Sequence, residues 1–160
     1  AIDFGMPMGP VTLADQVGLD ICLHVAESLE EHLDKPLPDV TAALRDKVEA
    51  GETGKKAGQG FYDWSDGTPH PDTEDEGPAD LTDRLILPMC DAAVECLRNG
   101  VAPDADTIDG AVIFGTGWAP FRGGPLTYAR TRGDVPKVLS SLADTHGPRF
   151  QPDAGWSDFG

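Results

Sequence analysis

The sequence predicts an all-α protein made of two tandem copies of one helical repeat, the first copy truncated at its N-terminus. Three observations lead there. Apolar residues recur every three or four positions in several separate stretches, the period of a helix with one buried face. No stretch alternates apolar and polar residues for long, as a half-buried strand would. A series of short motifs in the first half returns, in the same order, in the second.

From Ala14 onward, Val17, Ile21, Val25, Leu29 and Leu33 mark one helix, with Glu27, Glu30 and Glu31 between them. Asp39 is placed to cap a shorter helix carrying Val40, Ala43, Leu44 and Val48, and Gly51 supplies a residue that can turn left-handed at its end. A helical hairpin follows from that spacing. The stretch GETGKKAGQGFYDW, residues 51–64, is too rich in glycine for a helix and reads as an ordered loop anchored by its aromatics.

Residues 65–80 combine Pro69, Pro71 and Pro78 with many acidic residues and almost nothing to bury, which predicts a linker. Asp80 can cap a helix through Leu81, Leu85, Met89, Ala93 and Leu97, kinked at Pro88 and closed by Gly100. Asp104 opens a short helix with Ile108 and Val112. Asp134, with Pro136 in the first turn, opens the last one, through Val138, Leu139 and Leu142 to Gly147. The predicted organisation is a first repeat at 1–64, an acidic linker at 65–80 and a second repeat at 81–160.

The repeat rests on aligned residues. Phe4-Gly5 returns as Phe114-Gly115, and Gly9-Pro10 as Gly124-Pro125 after an insertion in the second copy. Thr12, Ala14 and Gly18 then match Thr127, Ala129 and Gly133 at constant offset. Two helices precede the second Phe-Gly pair but only Ala1 to Asp3 precede the first, so the first copy is expected to lack its beginning. The alternative is that both halves merely share the turn chemistry of Gly-Pro before a helix.

Charge narrows the partners. A formal net charge of -16 repels phosphate backbones and anionic lipid, so neither nucleic acid nor a membrane surface is an expected partner. No run is long and apolar enough for a membrane span, and Cys22, Cys90 and Cys96 read as reduced core thiols in a cytoplasmic protein.

The usual nucleotide and metal motifs fail. GTGWAP, residues 115–120, has Pro120 where a dinucleotide fingerprint needs its third glycine, and GETGKKAG lacks the Ser or Thr of a phosphate-cradling loop. His24, His32, His70 and His146 have no zinc spacing, and His24 among apolar helix residues reads as a structural histidine. Asp15 and Asp20 flank Gly18 near a helix start, where carboxylates favour the positive end of the dipole. Lys55 and Lys56 read as solvated charges. No catalytic residue and no metal ligand is expected in this chain.

FGMPMGPVTLADQVGLD, residues 4–20, with GKKAGQGFYDW, residues 54–64, resembles the C-terminal domain of 3-hydroxyacyl-CoA dehydrogenases. DRLILPMCDAAVECLRNGVA, TIDGAVIFGTGWAPFRGGPLTYA and GPRFQP in the second half resemble the duplicated copy of that domain in multifunctional α-subunits of fatty-acid β-oxidation. The resemblance implies a parent that oxidises 3-hydroxyacyl-CoA with NAD, that also carries enoyl-CoA hydratase activity, and that pairs with a thiolase β-subunit. It implies that NAD and the catalytic His and Glu belong to a preceding domain, so that this chain alone is inactive. Met6, Pro7, Met8, Gly9, Pro10 and Leu13 then become a wall of the acyl-CoA cleft, or a loop that only fixes a helix entry. Asp15, Gly18, Arg84, Gly124 and Pro125 become structural or interface residues. The competing reading is a standalone helical interaction or scaffold domain without catalysis.

Overall fold

Glycine and proline punctuate the chain into short helices. The structure, a computed structural model, describes residues 1–32, 41–71 and 77–159. Among these, seven α-helices are joined by loops and four short 3-10 turns: α1 Pro10–Val17, α2 Leu19–His32, α3 Thr41–Glu49, α4 Leu81–Arg98, α5 Ala105–Thr116, α6 Gly124–Arg132 and α7 Val135–His146. The only pairing of extended backbone in the described residues is a set of isolated bridges among residues 54–70. The chain divides into two units, Met8–Glu76 on the one hand and Ala1–Pro7 with Gly77–Gly160 on the other. The first seven residues thus group with the C-terminal half, whereas the sequence reading placed them in the first repeat.

In the unit of residues 8–76, the apolar period from Ala14 predicts one helix, but the structure has two. The first starts earlier, at Pro10, whose fixed φ suits the first helical position. It stops at Gly18, where φ is 109°. The break coincides with a long-range contact: the Leu19 N–H turns away from the helix to donate to the Thr53 carbonyl at 3.2 Å, and Leu19 is fully buried. Helix α3 lies against α2, with Thr41 and Leu44 buried. The expected cap Asp39 and the apolar residues Leu33 and Val40 lie outside the described residues. Gly51 takes the left-handed conformation expected of it, φ 75°.

Residues 65–71 are built into this unit. The Thr68 N–H and hydroxyl both donate to Asp66, and the His70 N–H donates to the Asp63 carbonyl at 3.3 Å.

In the other unit α4 is central, packed on α5, α6, α7 and the 3-10 turn at Ala154–Ser157. Its buried residues are Ile86, Leu87, Cys90, Ala93 and Val94. Of the expected apolar positions, Ala93 is buried, Leu85, Met89 and Leu97 are half-buried against the core, and Leu81 is exposed. A helix with neighbours on several sides buries a wider face than a single stripe can mark. The helix continues through Pro88 as one element.

Asp104 caps α5 as expected, accepting from the Thr107 N–H at 2.7 Å. Asp80 and Asp134 sit at the cap positions of α4 and α7 without capping. Their carboxylates are taken instead by His146 at 2.8 Å and by Arg132 at 2.7 Å. Helix α6 buries Gly124, Pro125, Leu126 and Ala129.

Candidate functional site

Each unit is organised around a buried carboxylate held by N–H groups from a distant segment. In the unit of residues 8–76 this is Asp15 on α1, with no exposed surface. It accepts from the backbone N–H groups of Phe61 and Tyr62 and from the Trp64 indole, each at 2.9 Å. The expected role at a helix start is therefore wrong: Asp15 lies in the second half of α1 and fastens the 61–64 loop to it. Gly54 and Gly60 press their backbones against Asp15, and a Cβ at either would collide with it.

Gly18 is packed too. A Cβ there would meet Asp20 Oδ1 at 2.8 Å and Lys56 Nζ at 3.1 Å. Those two groups pair at 2.6 Å, and the Lys56 ammonium holds the Asp20 carboxyl below its ordinary range. Lys55 lies over the Trp64 ring. Both lysines are exposed, as expected, and each also makes one contact, Lys55 with Trp64 and Lys56 with Asp20.

With the loop fixed, α1 and α2 present a second face. Val11, Leu13, Val17, Ile21, Val25 and Leu29 are all exposed, between 38% and 50%. The sequence reading assigned Val17, Ile21, Val25 and Leu29 to the buried side; in the structure Leu19 is buried in their place. The apolar stripe of α1 and α2 thus meets solvent over six side chains. Of the expected cleft residues, Met8 and Gly9 are half-buried, and Pro10 and Leu13 are exposed beside this stripe. His24 is exposed on α2, not set in an apolar niche.

In the other unit the carboxylate is Asp109 on α5, 4% exposed. It accepts from the N–H groups of Leu126 at 2.7 Å and Thr127 at 2.9 Å, the open N-terminus of α6. Gly124, φ 86°, lies so close to Asp109 that a Cβ would overlap it, and Pro125 is fully buried beside it. The sequence reading missed Asp109, although a carboxylate inside the apolar run IDGAVIF signals a buried partner.

Phe4 inserts between Trp118 and Tyr128, edge to face at 5.1 and 5.2 Å. Arg122 stacks on Phe4 at 4.1 Å and donates to its carbonyl at 2.7 Å. Met6 packs against the same core, and Pro7 lies against Gly117. The candidate cleft residues are therefore divided, with Met6 and Pro7 in this unit and Met8 to Leu13 in the other. Arg84 lies one turn into α4, 3.9 Å from Asp80, its Nε buried without a hydrogen-bond partner.

The titrating groups serve structure. Asp80 is held below the ordinary carboxylate range by the hydrogen bond from His146. Burial pushes the Cys90 thiol up to about 12. Among the described residues no group of three or more His, Cys, Asp and Glu side chains could hold a metal ion, and no helix is long and apolar enough to cross a membrane.

Residues 1–64 match the family model of the 3-hydroxyacyl-CoA dehydrogenase C-terminal domain. Those residues belong to that family. Curated relatives extend the likeness beyond the matched 3-hydroxyacyl-CoA dehydrogenase segment. The fatty acid oxidation complex subunit alpha of Shewanella sp. (strain MR-4) is 31% identical over 94% of this chain, and that of Vibrio cholerae serotype O1 (strain ATCC 39315 / El Tor Inaba N16961) 33% over 96%. The chain spans 24% of the length of each. The crystal structure of 3-hydroxybutyryl-CoA dehydrogenase from Escherichia coli K12 has the same fold, with a TM-score of 0.73 at 19% identity, over 97% of this chain and 51% of that one.

Proposed function

We propose that this chain is the C-terminal helical region of an NAD-dependent 3-hydroxyacyl-CoA dehydrogenase within a multifunctional fatty-acid β-oxidation protein, and that it walls the acyl-CoA cleft. The observation that carries this reading is the uncovered apolar face of α1 and α2, Val11 to Leu29, contiguous in sequence with Met8, Gly9 and Pro10. In the proposal the catalytic domain docks on that face, and residues Met6 to Leu13 lie at the resulting interface, where substrate sites commonly form.

The described residues do not suit NAD. A dinucleotide site needs a strand leading through a glycine turn into a helix, and the described residues hold no strand before GTGWAP or elsewhere. The proposal assigns NAD, with the catalytic His and Glu, to a domain outside these 160 residues, and treats the chain alone as inactive. Hydratase activity in the same polypeptide and a thiolase β-subunit as partner belong to the same reading.

The tandem-repeat reading is supported by parallels drawn within each unit. Helices α1 and α6 both open at Gly-Pro and both end at a glycine of positive φ, Gly18 and Gly133. Each is followed at once by a longer helix. Each unit also fastens a late tryptophan by its indole N–H, Trp64 to Asp15 and Trp156 to Asp91 at 2.7 Å. Arg84, Gly124 and Pro125 stand in this reading as residues that shape the second copy.

A binding titration tests the docking face. The chain, mixed with a separately prepared catalytic domain, is expected to associate, and Ile21→Asp with Val25→Asp is expected to abolish association while leaving helicity unchanged. Undiminished association of the double variant would remove the face from the proposal.

A further inference from the structure

In the tandem-repeat reading, the two copies differ in length between their Phe-Gly and Gly-Pro pairs. The first joins them through residues 6–8, the second through residues 116–123. The additional length folds into the 3-10 turn Pro120–Arg122 and a glycine pair, and it forms one side of a cavity of about 420 Å³ whose other side is α6. Phe121 and Arg122 come from the insertion, and Thr127, Tyr128, Thr131 and Arg132 from the helix. Gly123, φ 78°, lets the turn approach the helix, since a Cβ there would meet the Thr127 methyl at 2.5 Å.

The charges in this cavity are unequal. Arg132 is neutralised by Asp83 at 2.8 Å and Asp134 at 2.7 Å. Arg122 has no carboxylate partner among the described residues, in a protein with 28 acidic side chains against 12 basic ones. Only its Nε is hydrogen-bonded, to the Phe4 carbonyl, which leaves the two η nitrogens unengaged. Among the described residues the Thr127 hydroxyl has no partner, and the Tyr128 oxygen only accepts, from Arg132 at 3.3 Å, so its proton is available. Phe121 stands 76% exposed at the rim, an aromatic ring with an open surface.

We propose that the insertion builds a binding site for a phosphate monoester carried on a flat ring, with Arg122, Thr127 and Tyr128 as donors and Phe121 as the stacking wall. A guanidinium with two free nitrogens meets phosphate oxygens bidentately, and two hydroxyls supply the third oxygen. Three donor groups exceed the needs of a carboxylate. The net negative charge of the protein is screened beyond roughly 8 Å at physiological salt, so the local guanidinium governs the site.

The test is an amide chemical-shift titration of the full chain with phenyl phosphate, inorganic phosphate and phenol in separate arms. Saturable shifts confined to residues 121–131 are expected with phenyl phosphate, at least about tenfold weaker binding with inorganic phosphate, and none with phenol. Because Arg122 also holds Phe4, Arg122→Gln risks the fold. Thr127→Val keeps the side-chain shape, and Phe121→Ala removes an exposed ring that also touches Gly5; each is expected to weaken phenyl phosphate by about tenfold with the spectrum away from the cavity and Gly5 unmoved. Absence of saturable shifts in residues 121–131 would overturn the proposal. So would equal binding by both wall variants, or equal affinity for phosphate with and without the ring.

Discussion

Asp15 and Trp64 meet in the core of their unit, the indole N–H donating to the carboxylate at 2.9 Å across 49 residues of sequence. The same carboxylate holds two backbone N–H groups, so its removal strands three donors in a buried place. Each stranded donor costs about 1–3 kcal/mol. Asp15→Ala is expected to destabilise the unit by roughly 3–5 kcal/mol, and Asp15→Asn by about half of that because the amide keeps an acceptor oxygen. Urea unfolding followed by tryptophan fluorescence measures it. A loss under about 1 kcal/mol for the alanine variant would show that the loop holds without its anchor.

Gly124 and Gly133 bracket α6, and both have positive φ, yet only Gly124 touches Asp109. Alanine at either position bears the strain of that backbone, but at Gly124 it also collides with the carboxylate that caps the helix. Gly133→Ala is expected to cost about 1 kcal/mol and Gly124→Ala about 2–4 kcal/mol. Equal losses in thermal unfolding would mean that the close approach contributes nothing.

Asp66 titrates low, at about 2, because the Thr68 hydroxyl and backbone N–H and then His70 hydrogen-bond to it. A carboxylate whose folded value lies below its ordinary value of 3.8 stabilises its turn above that pH, and the contribution fades as pH falls from about 4 towards 2. Thr68→Val removes the largest cause, so the Asp66 carboxyl resonance of that variant should titrate closer to 3.8. An unchanged midpoint would assign the depression to another group.

Cys90 is fully buried, and burial pushes its thiol up to about 12, so almost no thiolate exists near neutrality. A disulfide reagent at pH 8 should modify Cys22 and Cys96, which are partly exposed, and reach Cys90 only on unfolding. Modification of all three at one rate in native conditions would contradict this placement.

The helical class and most helix locations are legible in the sequence because periodicity is a local property, and helix period dominates this chain. The failures share one origin, which is distance. Periodicity runs unbroken across Gly18, so nothing local announces that Leu19 turns to Thr53. Asp15 and Asp80 each stand beside a helix terminus or glycine where capping is the ordinary local role, but each is claimed by a group brought near by folding. The stripe Val17 to Leu29 has the correct period and the wrong destination. A pattern identifies an apolar face, while the neighbour that covers it, or fails to, is set by the tertiary structure. The fastening of Phe4 by Arg122, 118 positions away, has no local signal at all.

The most direct measurement is NADH oxidation with acetoacetyl-CoA, followed for the chain alone, for a separately prepared catalytic domain, and for the two together. The account predicts no activity from the chain alone, a marked gain on mixing, and loss of that gain with Ile21→Asp and Val25→Asp. Turnover by the chain alone, or a mixture no more active than the catalytic domain by itself, would contradict it.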